Sequence, residues 1–260
     1  MPSGRFGILK GSGRCPSRNW DSREITMTFE QKYAKLEEQF RCQVARDEKR
    51  WDVESVYLPT VEPSGPVDFV LVAMEPSSMG ARSKDEAQRL IDEGFRNFCN
   101  STEDFILHFC ARNYLCRSGE TYHVTDLAKG TMPTKAKAAG NPAKYEDWYR
   151  LFEKEFRLVA KPNARIISIG KPVGQFLSEK GLRGHAGTIL HYSPQAIRHR
   201  RRAIVGREAE YAQFASSLHE LPRGRGWSEP KEAIPLSESR KQLVFNYKVS
   251  FEHFRDRKPG

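Results

Sequence analysis

The stretch VDFVLVAMEPSSMG, residues 67–80, decides the fold. Val67, Phe69, Val70, Leu71 and Val72 form a short apolar run, the pattern of a strand buried on both faces of a parallel sheet. The run stops at Glu75-Pro76, where proline ends strand pairing and two serines and Gly80 open a loop. A second run, ARIISIG at 164–170, ends at Gly170 before the short helix VGQFLSEKG. TYHVTDLAKG (121–130) and TILHYSPQA (188–196) read as two further strands passing into turns. The sequence between them is helical. TFEQKYAKLEEQFRCQVARDEKRW carries a capping box at Thr28 and Gln31, KDEAQRLIDEGF follows Ser83, and STEDFILHFCARNYL (101–115) starts at a Ser/Thr cap. YEDWYRLFEKEFRLVAKP precedes the 164–170 strand, and IRHRRRAIVGREAEYAQFASSLHEL reads as a basic helix. Strands alternating with helices predict an α/β fold of three layers, α/β/α, around a central, mostly parallel four-stranded sheet.

Around that unit, residues 1–25 are rich in Gly, Ser, Arg and Pro and predict a basic flexible arm. Residues 26–222 make one α/β domain. Residues 223–260 are a C-terminal extension, in which QLVFNYKVSF (242–251) alternates like one added strand. No apolar run approaches the ~20 residues that span a bilayer, and the first residues lack the apolar centre of a secretory signal. The five cysteines, Cys15, Cys42, Cys99, Cys110 and Cys116, are odd in number and nowhere spaced C-x-x-C. This pattern argues against a disulfide framework or a zinc ribbon and for a reducing, cytoplasmic location, nucleoid-associated if the source is bacterial. No metal and no cofactor is expected, and the chain is expected to be a monomer.

Lys and Arg number 43 against 33 Asp and Glu, a formal charge of +10. Such an excess favours an anionic partner, with nucleic acid the first candidate. A solvated surface concentrated in the tails accounts for the same charge. The polar residues that matter more stand at the carboxyl ends of the predicted strands, where open α/β sheets gather their sites. They are Glu75 after the first strand, Asp126 after the second, and His191 and Ser193 after the fourth. Singly, each reads as a loop or structural residue. On one rim they suit cleavage of a glycosidic bond: a carboxylate stabilises an oxocarbenium-like sugar and orients water, and an imidazole stabilises charge on the departing base.

The order VLVAMEPSSMG, HVTDLAKG, ARIISIGKPVGQFL, LHYSPQA resembles the uracil-DNA glycosylase superfamily over Val67 to Phe214. The resemblance implies roles residue by residue. Glu75 takes the place of the water-activating acid, Pro76 matches the family's proline, and Met74 offers a backbone amide to the base pocket. Ser77 falls where many members carry an aromatic gate, and Asp126 falls at the base-reading asparagine. His191 matches the histidine that stabilises the leaving base, and Ser193 the serine on a phosphate. Gln195 and the residues after it form the loop that enters the duplex. Phe98, or in second place Phe95, is the ring that stacks on the base. Arg198, Arg200 and Arg201 hold DNA phosphates, unless the run is simply a solvated face, and Lys129, Lys135 and Lys137 extend that surface.

Departures from the family pattern set further expectations. Ala73 replaces a glycine and Tyr192 a proline. Glu75 is one carbon longer than aspartate, which moves its carboxylate by roughly 1.5 Å. An ionised Asp126 accepts hydrogen bonds but donates none, which favours bases with a ring N–H such as uracil, hypoxanthine and xanthine; alternatively it pairs with Lys129. The expected activity is that of a monofunctional glycosylase of base excision repair, because no lysine is evidently placed as a Schiff-base nucleophile. The alternatives are a lesion-binding protein with weak turnover or a long-lived covalent adduct, and an α/β enzyme acting on a small phosphorylated metabolite or free nucleoside.

Overall fold

The computed structural model describes residues 27–76, 81, 83–131, 142–222 and 232–256. The arm 1–25, Ser77, Lys135 and Lys137 lie outside them. Four strands form the central sheet: β2 (Val67–Ala73), β3 (Tyr122–Asp126), β5 (Ala160–Ile169) and β6 (His185–Ile189). They lie in the order β3-β2-β5-β6 with every neighbour parallel. Two-residue ribbons complete the strand set: β1 (Val56–Tyr57) with β4 (Gly130–Thr131), and β7 (Glu220–Leu221) with β8 (Ile234–Pro235).

Alternation along the strands sorts the core into two halves, because successive side chains of a strand point to opposite faces. Phe69, Leu71, Ala73, Val124, Ile167, Ile169 and Ile189 face one way, onto α3 (Thr102–Cys110), the π-turn Ala111–Leu115 and α7 (Glu238–Asp256). Val70, Val72 and Ile166 face the other, onto α1 (Phe29–Trp51), α4 (Pro142–Val159) and α5 (Lys171–Glu179). Helices therefore cover both faces of the sheet. The expected capping box forms: the Gln31 N–H donates to Thr28 Oγ1 and the Thr28 N–H to Gln31 Oε1.

Two expectations are corrected. The 242–251 stretch is the middle of helix α7 and not a strand. Leu243, Val244, Tyr247, Phe251 and Phe254 line its sheet side, while Phe245 packs on its other side against Tyr211 and Phe214 of α6 (Glu208–Ser217). A helix buried on two sides loses its polar stripe, so over ten residues it imitates the alternation of a strand. Gly187 of β6 makes room for it, since a Cβ there would sit 2.5 Å from the Phe254 ring. The extension is thus part of the core. The second correction concerns the stretch after β6, which is not one basic helix: a 3-10 helix, Pro194–His199, gives way to turns, and α6 begins only after Gly206 at φ 77°.

Among the described residues no helix is long and apolar enough to cross a membrane.

Because Phe251 is fully buried between α7 and the sheet, Phe251→Ala should lower unfolding free energy by about 3–5 kcal/mol. Urea denaturation checks this, and a near-neutral result would mean that the helix does not belong to the core.

Candidate active site

The site follows from register. Ala73 stands opposite Asp126, Val72 opposite Ser168, and Ile169 opposite Ile189. Asp126 therefore ends its strand on a common line across the sheet, and Glu75 and His191 each follow two residues beyond it. Neighbouring strands lie ~4.8 Å apart, so the β2 and β6 ends are separated by roughly 10 Å. The sheet brings Glu75, Asp126 and His191 to one rim.

His191 is held in a defined state. The Ser193 backbone N–H donates to its Nδ1 at 3.0 Å, which leaves the proton of the neutral ring on Nε2. Burial holds its pKa below the usual histidine range, with Asp104 pulling the other way. The ring stacks on Tyr192, centroids 4.9 Å apart, and lies against Gly170, where a Cβ would come within 3.3 Å of His191 Cβ. Gly170 also has φ 98°, so a side chain there would be both crowded and strained.

Asp126 is 1% exposed. Its Oδ2 accepts from Asn97 Nδ2, and Oδ1 has no partner among the described residues. Burial pushes its pKa up to about 7; Lys129 and Asn97 pull it down, and Glu75 and Glu155 add to the rise. The expected pairing with Lys129 takes an indirect form. Lys129 Nζ donates to the Asp126 backbone carbonyl at 2.6 Å, to Thr125 Oγ1 and to Glu155 Oε2, also at 2.6 Å. Burial alone would raise Glu155, but Lys129 and His123 outweigh it and take the carboxyl down to about 2. Lys129 is 2% exposed and so does not extend a DNA-facing surface.

Glu75 is partly exposed, and its Oε2 accepts from Lys144 Nζ at 2.5 Å. Lys144 lies in the first turn of α4. That helix runs into the start of β5, so its own start stands at the carboxyl rim. The Met74 carbonyl accepts from the Ala128 N–H, which carries the β2–β3 pairing one residue past the strand. Phe98 differs from expectation. Its ring is 3% exposed among Leu71, Ala73 and Val124, its φ is 62°, and its carbonyl is 2.9 Å from His108 Nε2. It is part of the core and not an open stacking platform. A non-glycine residue in this left-handed region is strained, and the strain sits beside Asn97, which holds Asp126.

Past His191, Ser193 is half-buried and Gln195, Arg198, Arg201 and Arg202 are not covered. Ile197 stands among them, an apolar side chain 47% exposed. Arg200 departs from the expected set. It is 3% exposed, and its guanidinium donates to the Tyr192 carbonyl at 3.0 Å and to Ser239 Oγ of α7 at 2.9 Å. It braces the His191 loop from inside and cannot reach a phosphate.

Sequence reasoning missed Asn97, Lys144 and Ile197. Nothing in the sequence marks Asn97. Lys144 is one of two lysines in an amphipathic helix, and Ile197 is a single apolar residue just before the cationic run. Two clefts, of about 900 and 750 Å³, lie elsewhere: one between α1, β1 and α2 (Lys84–Asp92), the other along the outer edge of β3, sharing Asn97 and Phe98 with the rim. Comparison of the chain with protein-family models and with curated proteins finds no match.

Unfolded, Asp126 loses its proton near 4, and folded near 7. Its stabilising contribution is therefore complete below the first value and is lost as pH rises through the second. Between pH 5.5 and 8.5 it should remove on the order of 2 kcal/mol. Asp126→Asn should abolish that part of the pH slope, as read by urea denaturation across the range.

Proposed function

We propose that the chain is a DNA glycosylase of base excision repair, a divergent relative of the uracil-DNA glycosylases with their three-layer fold. One observation carries the reading: Glu75, Asp126 and His191 stand on a single sheet rim, with His191 neutral and its proton on Nε2. That is the state needed by a group that must stabilise negative charge on a leaving base without losing its proton to it.

DNA is the proposed partner, bound by a monomer. Arg198 and Arg201 supply phosphate contacts, with Ser193 and Gln195 on the same loop. Ile197 is the apolar wedge that enters the stack as the nucleotide turns out. Glu75 orients water at the sugar carbon through Oε1, its Oε2 being fixed by Lys144, and stabilises the cationic sugar. His191 donates to the departing base. The reaction asks only for water, and yields free base and an abasic site.

Asp126 reads the base in a way that revises the expectation of an acceptor-only group. With Oδ2 held by Asn97, a proton on the carboxyl belongs on Oδ1, the oxygen without a partner. Oδ1 is covered in this structure, so the base must uncover it on entry; the acid form then donates to a base carbonyl, as an asparagine amide would. Below about pH 7 the pocket is suited to oxo bases such as uracil, hypoxanthine and xanthine.

Base release from uracil-containing DNA by the wild type should fall at least ~10-fold in both Glu75→Ala and His191→Ala, about 1.4 kcal/mol in the barrier. Unchanged rates in both would end the site assignment. A lesion panel should also find hypoxanthine and xanthine cleaved, and activity confined to uracil contradicts the role given to Asp126.

Replacing Arg198 and Arg201 by alanine should weaken DNA binding and reduce the salt slope by about 1 per lost contact. Arg200→Ala should leave that slope alone and lower thermal stability. Titrations at two salt concentrations, with melting curves, separate these outcomes.

A further inference from the structure

We propose that Asn97 is a base-reading residue of this site, its side-chain carbonyl accepting the ring N–H that stands beside a base carbonyl. The proposal rests on the glycosylase reading and names the edge of the base that the site requires. It comes from a half-buried amide bound to Asp126 through its nitrogen alone. Asn97 Nδ2 donates to Asp126 Oδ2, and the acceptor Oδ1 of Asn97 has no partner among the described residues. Unlike Asp126 Oδ1, that oxygen is not sealed from solvent.

The acid form of Asp126 offers one O–H, on Oδ1, while Oδ2 is engaged by Asn97. Bases suited to such a donor present a carbonyl and, next to it, a ring N–H. Asp126 serves the carbonyl. The ring N–H leaves its bond to water on entry and needs an acceptor in exchange, or the loss is uncompensated. Asn97 Oδ1 is that acceptor, carried by the same amide that fixes Asp126. The donor and the acceptor thus belong to two side chains joined by one hydrogen bond.

The amide stands on a rigid frame. The Asn97 backbone N–H donates to the Pro59 carbonyl at 2.9 Å. Phe98, next in the chain, is buried in the core, and its carbonyl lies 2.9 Å from His108 Nε2. The left-handed Phe98 backbone, φ 62°, is a strain that this packing sustains, and it fixes the course of the chain at Asn97. A carboxyl oxygen accepts, so the amide nitrogen faces Asp126 and the amide oxygen is left for a ligand.

A rule on bases follows. Uracil, hypoxanthine and xanthine carry a ring N–H beside a carbonyl. Cytosine and adenine carry a nitrogen lone pair beside an amino group, so Asn97 Oδ1 would meet a lone pair and the Asp126 O–H a donor. The edge separates uracil from cytosine and hypoxanthine from adenine. Thymine and guanine share it and must be refused by other contacts.

The test uses the full chain at about pH 6, where Asp126 is mostly in its acid form. Duplexes carry either uracil or 3-methyluracil, in which a methyl group replaces the ring N–H and both carbonyls remain. The wild type should release 3-methyluracil at least ~10-fold more slowly than uracil, as a site built to bond an N–H rejects its analogue. Asn97→Ala, verified as folded by circular dichroism, removes the acceptor and vacates the space beside it. Its uracil release should fall at least ~10-fold, and the ratio between the two substrates should fall toward one. A merely structural role would slow both substrates alike, and an unchanged ratio overturns the proposal. Equal release of the two bases by the wild type also overturns it, without recourse to any variant, and leaves the glycosylase reading standing. Absence of uracil release from the wild type overturns that reading, and this inference with it.

Discussion

The register of β2 against its two parallel neighbours is the constraint on which the rest depends. Ala73 opposite Asp126, and Val72 opposite Ser168, bring the strand ends level. A slip of one residue would turn each side chain to the other face, placing Phe69 and Leu71 among the α1 and α4 aromatics and Val70 and Val72 toward α7. Both faces are dry, so a slip is penalised twice, and the rim inherits its geometry from that penalty. Asp126 lies at the end of a strand whose register it does not itself set.

Buried charge makes the rim specific. Glu155 and Asp126 are both sealed, yet their carboxyl groups are driven in opposite directions, to about 2 and about 7. The difference lies in their donors. Among the described residues Glu155 receives Lys129, Thr125 and a contact from His123, whereas Asp126 has Asn97 on one oxygen and nothing on the other. A fully partnered buried carboxyl keeps its charge, and a half-partnered one is driven toward its protonated form. Among the described residues Lys129 likewise has three hydrogen-bond partners, whereas Lys144 has Glu75.

How far the sequence revealed this follows from what each signal depends on. Strands β2, β3 and β5 and the rim positions of Glu75, Asp126 and His191 were legible, because an apolar run broken by Pro76, a turn or Gly170 is a local pattern; β6 starts three residues before the predicted 188–196 stretch, since His185, Ala186 and Gly187 make no apolar run. Helix α7 was not legible, since burial on two sides erased its polar stripe. The fate of Arg200 was hidden for a related reason. It stands among four other basic or imidazole residues in sequence, and only the approach of Ser239 in space distinguishes it. Phe98 has the composition of a stacking ring, but its place in the core cluster with Leu71 and Val124 is set by the folded sheet. Lys144 meets Glu75 across 69 positions of chain, a separation that no local pattern encodes.

Helix α7 and Arg200, two of these misses, share a location. Arg200 joins the Tyr192 carbonyl to Ser239, Tyr247 donates to the Leu190 carbonyl at 2.9 Å, and Phe254 occupies the space left by Gly187. All three contacts tie α7 to β6 or to the loop that carries His191. The imidazole is therefore positioned from two sides: from within by Gly170 and the Ser193 amide, and from behind by a helix near the far end of the described chain. An aligned donor at a site where charge develops must be fixed before the reaction begins, because reorganisation at that moment would forfeit the gain. On the proposed glycosylase reading α7 serves the chemistry as well as the core, because it holds the His191 side of the rim while Lys144 and Asn97 hold Glu75 and Asp126.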